Sequence, residues 1–164
     1  MNIVLIGMMG SGKTTVGELL ANNLQYKFID TDSIIVKNEN CSINEIFEKK
    51  GESYFRELER KVLKDVLISD KQVISTGGGI VKNPKNMKLI KEKATVIYLK
   101  ASHKVLYKRT KSNKERPLLN TEDMENKLKS ILEDRISLYE QAHYTINAEK
   151  TPKEIIRNII EKLS

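Results

Sequence analysis

Apolar and polar positions along this chain change period at regular intervals. Ile3, Val4, Leu5 and Ile6 are consecutive, as a strand buried on both faces requires. A glycine-rich turn follows, and from Thr14 the apolar positions Val16, Leu19, Leu20 and Leu24 recur at helical spacing. Residues 26–29 predict a second short strand that ends at Asp30. Ser42 and Glu45 match a capping box before Ile43, Ile46 and Phe47, which give a short helix its apolar side. The spacing of Phe55, Leu58, Val62 and Val66 predicts a longer helix over 52–67. Strand and helix then alternate again: a strand at 73–75, three glycines at 77–79, a helix opened by Asn83 and Pro84, a strand at 95–99 and a helix over 102–109. Residues 111–121 are polar and almost without period, which predicts a mobile lid. Met124, Leu128, Ile131 and Ile136 mark a long helix over 122–141, residues 144–146 a fifth strand, and Thr151, Pro152 and Glu154 the start of the last helix.

Five short strands separated by helices imply a parallel sheet, because parallel neighbours need crossover connections and these are usually helical. The expected class is α/β, a three-layer α/β/α sandwich in one domain over residues 1–164, a length that suits a single core. Ligands of such sheets gather beyond the carboxyl ends of the strands, which directs attention to residues 7–14, 30–32 and 77–79.

Composition narrows the partners. The chain carries 29 basic and 22 acidic residues, a formal charge of +7, which favours anionic ligands. With no Trp, three Phe and six Tyr, it lacks the interleaved basic and aromatic pattern of a base-stacking surface, so no nucleic-acid partner is expected. No apolar run approaches the ~18 residues of a membrane span, and the first apolar stretch has no basic flank and breaks at Gly7. Neither a membrane partner nor an export signal is expected. The single cysteine, Cys41, has no partner for a disulfide and belongs to no zinc pattern, which suits a reducing cytoplasm.

The strongest chemical signal is Gly7, Met8, Met9, Gly10, Ser11, Gly12, Lys13 and Thr14: a glycine, four residues, then Gly-Lys-Thr, between a strand and a helix. In such a loop the amides at the helix start face phosphates, the lysine neutralises β/γ charge, and the threonine hydroxyl coordinates Mg2+. Asp30 and Asp32 end the second strand, where spacing by two lets both carboxylates face the loop. One can support Mg2+ through water while the other accepts a hydrogen bond from a substrate hydroxyl and serves as base. The same residues also read as an Asx turn or a helix cap before Ile34. Gly77, Gly78 and Gly79 would let main chain approach a small ligand closely. Arg116, beside Pro117, Leu118 and Leu119 in the lid segment, is placed to close on a transferring phosphoryl group. Spacing alone reads Arg56 and Arg135 as helix-surface pairs, flanked by Glu52 and Glu59 and by Asp134 and Tyr139. His103 and His143 carry no motif and read as capping or surface residues, and Cys41 as passive.

Taken together, GMMGSGKTT at 7–15, DTD at 30–32, GGG at 77–79 and RPLL at 116–119 resemble the shikimate kinase family. FRELE at 55–59 and the pairing of Arg135 with Tyr139 add to the likeness, which spans nearly the whole chain. The resemblance implies a nucleoside monophosphate kinase-like fold with sheet order 2-3-1-4-5, and transfer of the ATP γ-phosphate to the 3-hydroxyl of shikimate in aromatic amino-acid biosynthesis. It further implies that Gly10, Ser11, Gly12, Lys13, Thr14 and Thr15 bind ATP. Thr14 and Asp30 would then serve Mg2+, and Arg109 with Lys150 would pack around adenine. Asp32, Arg56, Gly77, Gly78, Gly79 and Arg135 would bind shikimate, with a substrate region at about 31–60. Lys13, Asp32 and Arg116 would be catalytic, and the enzyme is expected to act as a monomer. Two other readings stay open at this point: a related kinase acting on gluconate or a nucleotide, and a basic module that senses ATP or binds nucleic acid without turnover.

Overall fold

A computed structural model of the chain describes residues 1–112 and 123–164. The first apolar run forms β1 (Asn2–Ile6), buried along its whole length, and the glycine-rich turn leads into α1 (Lys13–Leu24). Next come β2 (Lys27–Asp30), α2 (Thr31–Glu39), α3 (Ile43–Val66) and β3 (Gln72–Ser75). After β3 the chain passes through a 3₁₀ turn (Ile80–Lys82) into α4 (Pro84–Lys93) and β4 (Ala94–Lys100). It ends with α5 (His103–Lys111), α6 (Met124–Tyr139), β5 (Tyr144–Asn147) and α7 (Pro152–Leu163).

The five strands form one all-parallel sheet in the order β2-β3-β1-β4-β5. Right-handed crossovers dictate where the helices go. The step from β1 to β2 runs one way along the sheet, while those from β2 to β3, β3 to β4 and β4 to β5 run the other way. Helix α1 must therefore lie on the face opposite α3, α4 and α6, which makes three layers. Consistent with that, α1 packs beside α7, and both α3 and α6 meet the 3₁₀ turn after β3. The loops leaving β1 and β3 depart to opposite faces, so a crevice opens between these two neighbours at their carboxyl ends.

Two differences from the sequence reading bear on the site. Residues 31–39, for which the periodicity predicts no element, form the helix α2, and Asp30 is its N-cap, as the cap reading of that residue has it: its Oδ1 accepts from the Ser33 amide at 3.1 Å. The two helices expected on either side of Gly51 are the halves of α3, residues 43–50 and 52–66, joined across a kink where Gly51 takes φ 82 and ψ 169. Of the capping box at its start, the bond from the Glu45 amide to Ser42 Oγ is present at 3.2 Å. The complete reciprocal box is the one between Thr151 and Glu154 on α7.

A main core fills both sides of the sheet, and a second, smaller apolar cluster of Ile35, Ile46, Phe55 and Val62 lies between α2 and α3. The kink lets 43–50 close over this cluster while 52–66 returns along the sheet. No atom lies within 4 Å of a Cβ placed on Gly51, so backbone conformation alone demands glycine there. Gly51→Ala is expected to destabilise the protein by about 1–3 kcal/mol, read from urea unfolding midpoints. A loss near zero would mean that the kink relaxes without cost.

Candidate active site

The phosphate loop is built as its sequence requires. Gly12 caps α1 at φ 91 and ψ 17, and the first turn of the helix carries no acidic residue, leaving its positive end available to an anion. Thr14 and Thr15 are exposed there, whereas Ser11 is buried and its amide donates to Met8 O at 3.1 Å. The Lys13 ammonium reaches back over the loop, donating to Gly7 O at 2.8 Å and Met8 O at 2.9 Å. Thr14 Oγ1 donates to Asp30 Oδ2 at 3.2 Å, which unites the two residues expected to serve Mg2+. Among the described residues no group of three or more His, Cys, Asp or Glu side chains could cage an ion. A hydroxyl and a carboxylate side by side at a phosphate-binding helix end nonetheless fit Mg2+, which completes its octahedron with water and substrate phosphates.

Asp30 and Asp32 do not share one side of a strand end. Strand β2 stops at Asp30, and Asp32 lies in the first turn of α2, so the two-residue alternation of a strand no longer applies. Asp30 turns to Thr14. Asp32 turns instead to the glycine loop, where its Oδ1 would lie 2.9 Å from a Cβ on Gly77.

That loop brings together most of the residues assigned to an acceptor. A Cβ on Gly79 would fall 2.5 Å from both terminal nitrogens of Arg56, and one on Gly77 would fall 3.1 Å from Glu59 Oε1. A side chain at either position would push Arg56 or Glu59 from its place, so this arrangement of the loop favours glycine there. Arg135, on α6, reaches the same loop: its Nη1 would sit 3.5 Å from a Cβ on Gly78. The glycine loop in turn abuts the phosphate loop, with the Gly78 Cβ position 3.4 Å from Gly7 O. Thr76 locks the two together, donating to Leu5 O from its amide at 3.3 Å and from its hydroxyl at 3.0 Å.

Arg56 makes the helical pairs that its sequence context suggested, and it also meets the glycine loop. Its Nη1 meets Glu59 Oε2 at 3.0 Å and its Nη2 meets Glu52 Oε1 at 3.3 Å, while Lys82 holds that same Glu52 oxygen at 2.9 Å. These helical pairs do not compete with the site; they aim the guanidinium at the glycine loop. Glu59 and Tyr139 were visible in the sequence as neighbours of Arg56 and Arg135 and as parts of family patterns, without a role of their own. Glu59 betrays itself structurally as a carboxylate 1% exposed, three residues from Arg56. Tyr139 lies one helical turn after Arg135, and its hydroxyl donates to Gly78 O at 2.6 Å.

On the nucleotide side, Arg109 ties α5 to two loops, donating to Gly10 O at 3.4 Å and to Ala148 O at 2.7 Å. Lys150 follows in the latter loop, exposed. Arg116 and most of the 111–121 lid segment lie outside the described residues. His143 caps a strand through Nδ1, which accepts from the Val96 amide at 2.9 Å, and His103 faces Glu125 at 3.6 Å, so both keep to the roles expected of them.

Burial raises the Glu59 carboxyl above its ordinary 4.5, an effect that Arg56 opposes and the neighbouring Asp32 charge reinforces. The folded protein therefore holds this proton to a higher pH than the unfolded chain does, and stability contributed here declines as pH rises through that window. Glu59→Gln removes the titration. In thermal melts between about pH 4 and 7, the stability of the variant relative to the unmodified protein is expected to increase with pH; a pH-independent difference would contradict the raised carboxyl.

The chain is similar along nearly its whole length to known proteins of one family. The family model described as Shikimate kinase matches residues 9–164. A shikimate kinase of Thermodesulfovibrio yellowstonii is 44% identical over 162 residues, covering 98% of this chain and 94% of the relative. Among solved structures, shikimate kinase from Acinetobacter baumannii in complex with shikimate superposes with a TM-score of 0.93 at 38% identity, covering 99% of this chain and 92% of that one. The Aquifex aeolicus shikimate kinase gives 0.88 at 42% identity, with coverages of 99% and 96%. A phosphate loop locked against a glycine loop, with two arginines and an aspartate gathered around the latter, is thus found in a chain that belongs to the shikimate kinase family.

Proposed function

We propose that the chain phosphorylates the 3-hydroxyl of shikimate with ATP, giving shikimate 3-phosphate and ADP on the route to chorismate. The observation that carries this reading is the convergence of Arg56, Arg135 and Asp32 on residues 77–79, directly beside the phosphate loop. Two guanidinium forks suit a carboxylate, Asp32 suits ring hydroxyls, and glycine backbone leaves room for a flat carbocycle. In support, the Acinetobacter baumannii relative is described in complex with shikimate.

In this reading Gly10, Ser11, Gly12, Lys13, Thr14 and Thr15 hold the nucleotide phosphates, and Arg109 with the loop containing Lys150 flanks adenine. Thr14 and Asp30 would hold Mg2+, which when bound neutralises charge on the β- and γ-phosphates. The shikimate oxygen forms a bond to the γ-phosphorus as the bond to the ADP oxygen breaks, and the hydroxyl proton passes to the Asp32 carboxylate. Lys13 and Arg116 spread the charge that moves to the leaving oxygens; Arg116 is assigned from the family pattern of residues 116–119. The whole chain is read as one kinase domain, with an acceptor region at about 31–60 and a lid at 111–121. We further read it as a cytoplasmic monomer with no nucleic-acid or membrane partner; no helix among the described residues is long and apolar enough to cross a membrane.

A coupled assay of ADP release against shikimate, gluconate and nucleoside monophosphates tests the reading directly: shikimate alone should sustain turnover. Lys13→Ala should lower kcat at least ~100-fold while the melting temperature barely moves, and near-normal turnover would refute the phosphate-loop role. Arg135→Lys should weaken shikimate roughly tenfold or more, because an ammonium cannot reproduce a forked contact, and leave ATP nearly unaffected. Calorimetric losses of equal size for both ligands would refute the clamp.

A further inference from the structure

The glycine loop is gripped from above by a residue that no step of the proposed reaction requires. Tyr139 closes α6 with its side chain fully buried, its ring stacked on Tyr98 at a centroid distance of 5.0 Å and an interplanar angle of 19°. Its hydroxyl donates to Gly78 O at 2.6 Å. A Cβ on Gly78 would lie 3.6 Å from that hydroxyl and 3.5 Å from Arg135 Nη1, so the tyrosine and the arginine one turn before it meet the loop at the same residue. Burial raises the Tyr139 phenol above its ordinary range, which keeps it a donor at neutral pH.

Its stacking partner provides an internal contrast. The Tyr98 hydroxyl is also buried, yet among the described residues it has no hydrogen-bond partner, and desolvation pushes its pKa up to about 12. Packing between α6 and β4 thus uses two aromatic rings, and two phenylalanines would fill the space equally. Only the Tyr139 hydroxyl has something to hold.

What it holds is the reference point of the acceptor site. Arg56 abuts Gly79, Asp32 abuts Gly77 and Arg135 abuts Gly78, so a shift of this loop changes the spacing of all three relative to one another. The loop is fixed to the phosphate side through Thr76, before the glycines. Beyond Thr76, the bond from Tyr139 restrains the middle glycine from the α6 side.

We propose that Tyr139 is a positioning residue for the acceptor: its hydroxyl sets the height of Gly78 so that Arg56, Arg135 and Asp32 address one substrate together. The inference rests on the shikimate kinase reading of the site. Tyr139→Phe keeps the ring and its stack and removes the hydroxyl, with its bond to Gly78 O and its contact with the Arg135 guanidinium. The expected result is a rise of about five- to tenfold in both KM and the calorimetric Kd for shikimate, with the KM for ATP held within about twofold. Tyr98→Phe, which deletes an unpaired hydroxyl, should leave both KM values unchanged and the melting temperature equal or higher. A tyrosine that served packing alone would lower the melting temperature of Tyr139→Phe without altering the ratio of the two KM values. An unchanged shikimate KM, or a parallel rise for both substrates, would overturn the positioning role. If the unmodified protein turned over no shikimate, the reading of the whole site would fall, and this role with it.

Discussion

The structure depends on the contact between two loops at the carboxyl ends of neighbouring parallel strands. Leu5 and Ser75 are register partners on β1 and β3, and Thr76 extends the pairing by donating twice to Leu5 O. Immediately beyond, one chain turns into the phosphate loop and the other into three glycines. Because their helices leave to opposite faces, neither loop is covered by its own crossover, and the space above the junction stays open to ligands. Donor and acceptor are thereby brought to one crevice by backbone pairing, before any side chain contributes. For a reaction in which the protein mainly positions its reactants, this is the most economical place to invest rigidity.

Electrostatics then decides what each loop can hold. The phosphate loop presents amides, an ammonium and a helix end free of acidic residues. The glycine loop meets two guanidiniums, but also two carboxylates, Asp32 and Glu59. A guanidinium close to backbone with no anion beside it would carry a desolvation cost and would swing toward water. Glu59, deeply buried and with a raised carboxyl, supplies the anion for Arg56 at some cost to itself. Glu52, itself held by Lys82, pairs with the opposite edge of the same guanidinium from a more exposed position. Arg56 is therefore held in place before any ligand arrives, and on the proposed reading less side-chain entropy is lost when a carboxylate binds.

Most of the fold was legible in the chain because its strands are short apolar runs separated by helical periods and marked by glycine and proline. The strand order came from family resemblance, since spacing alone cannot say that β3 lies between β2 and β1. What the periodicity missed was α2: Ser33, Lys37, Asn38 and Glu39 dilute its apolar face, and the Asp30 cap that starts it also reads as a turn. That omission put Asp32 at a strand end, whereas it lies in the first turn of α2 beside Gly77. In the site, the phosphate loop was readable because its chemistry is contiguous. The acceptor residues were not readable as a group, since Asp32, Arg56, Gly79 and Arg135 come from four segments. Tyr139 reads only as a neighbour of Arg135, because nothing in a linear pattern shows that its hydroxyl meets a carbonyl sixty-one residues away in sequence.

This dispersal has a consequence for selectivity. A phosphate loop accepts any nucleotide tail, so discrimination among acceptors must come from the facing wall. There, two cationic forks, fixed from α3 and α6, face a loop without side chains. An acceptor lacking a carboxylate would forgo the pairing with these forks, and one with a bulkier anion would meet glycine backbone at close range. On the proposed reading the site thus rejects by shape as well as attracts by charge. Because the wall is assembled from separate elements, no single loop exchange can reproduce it; changing the acceptor would require α3, α6 and the strand-end loop to change in concert.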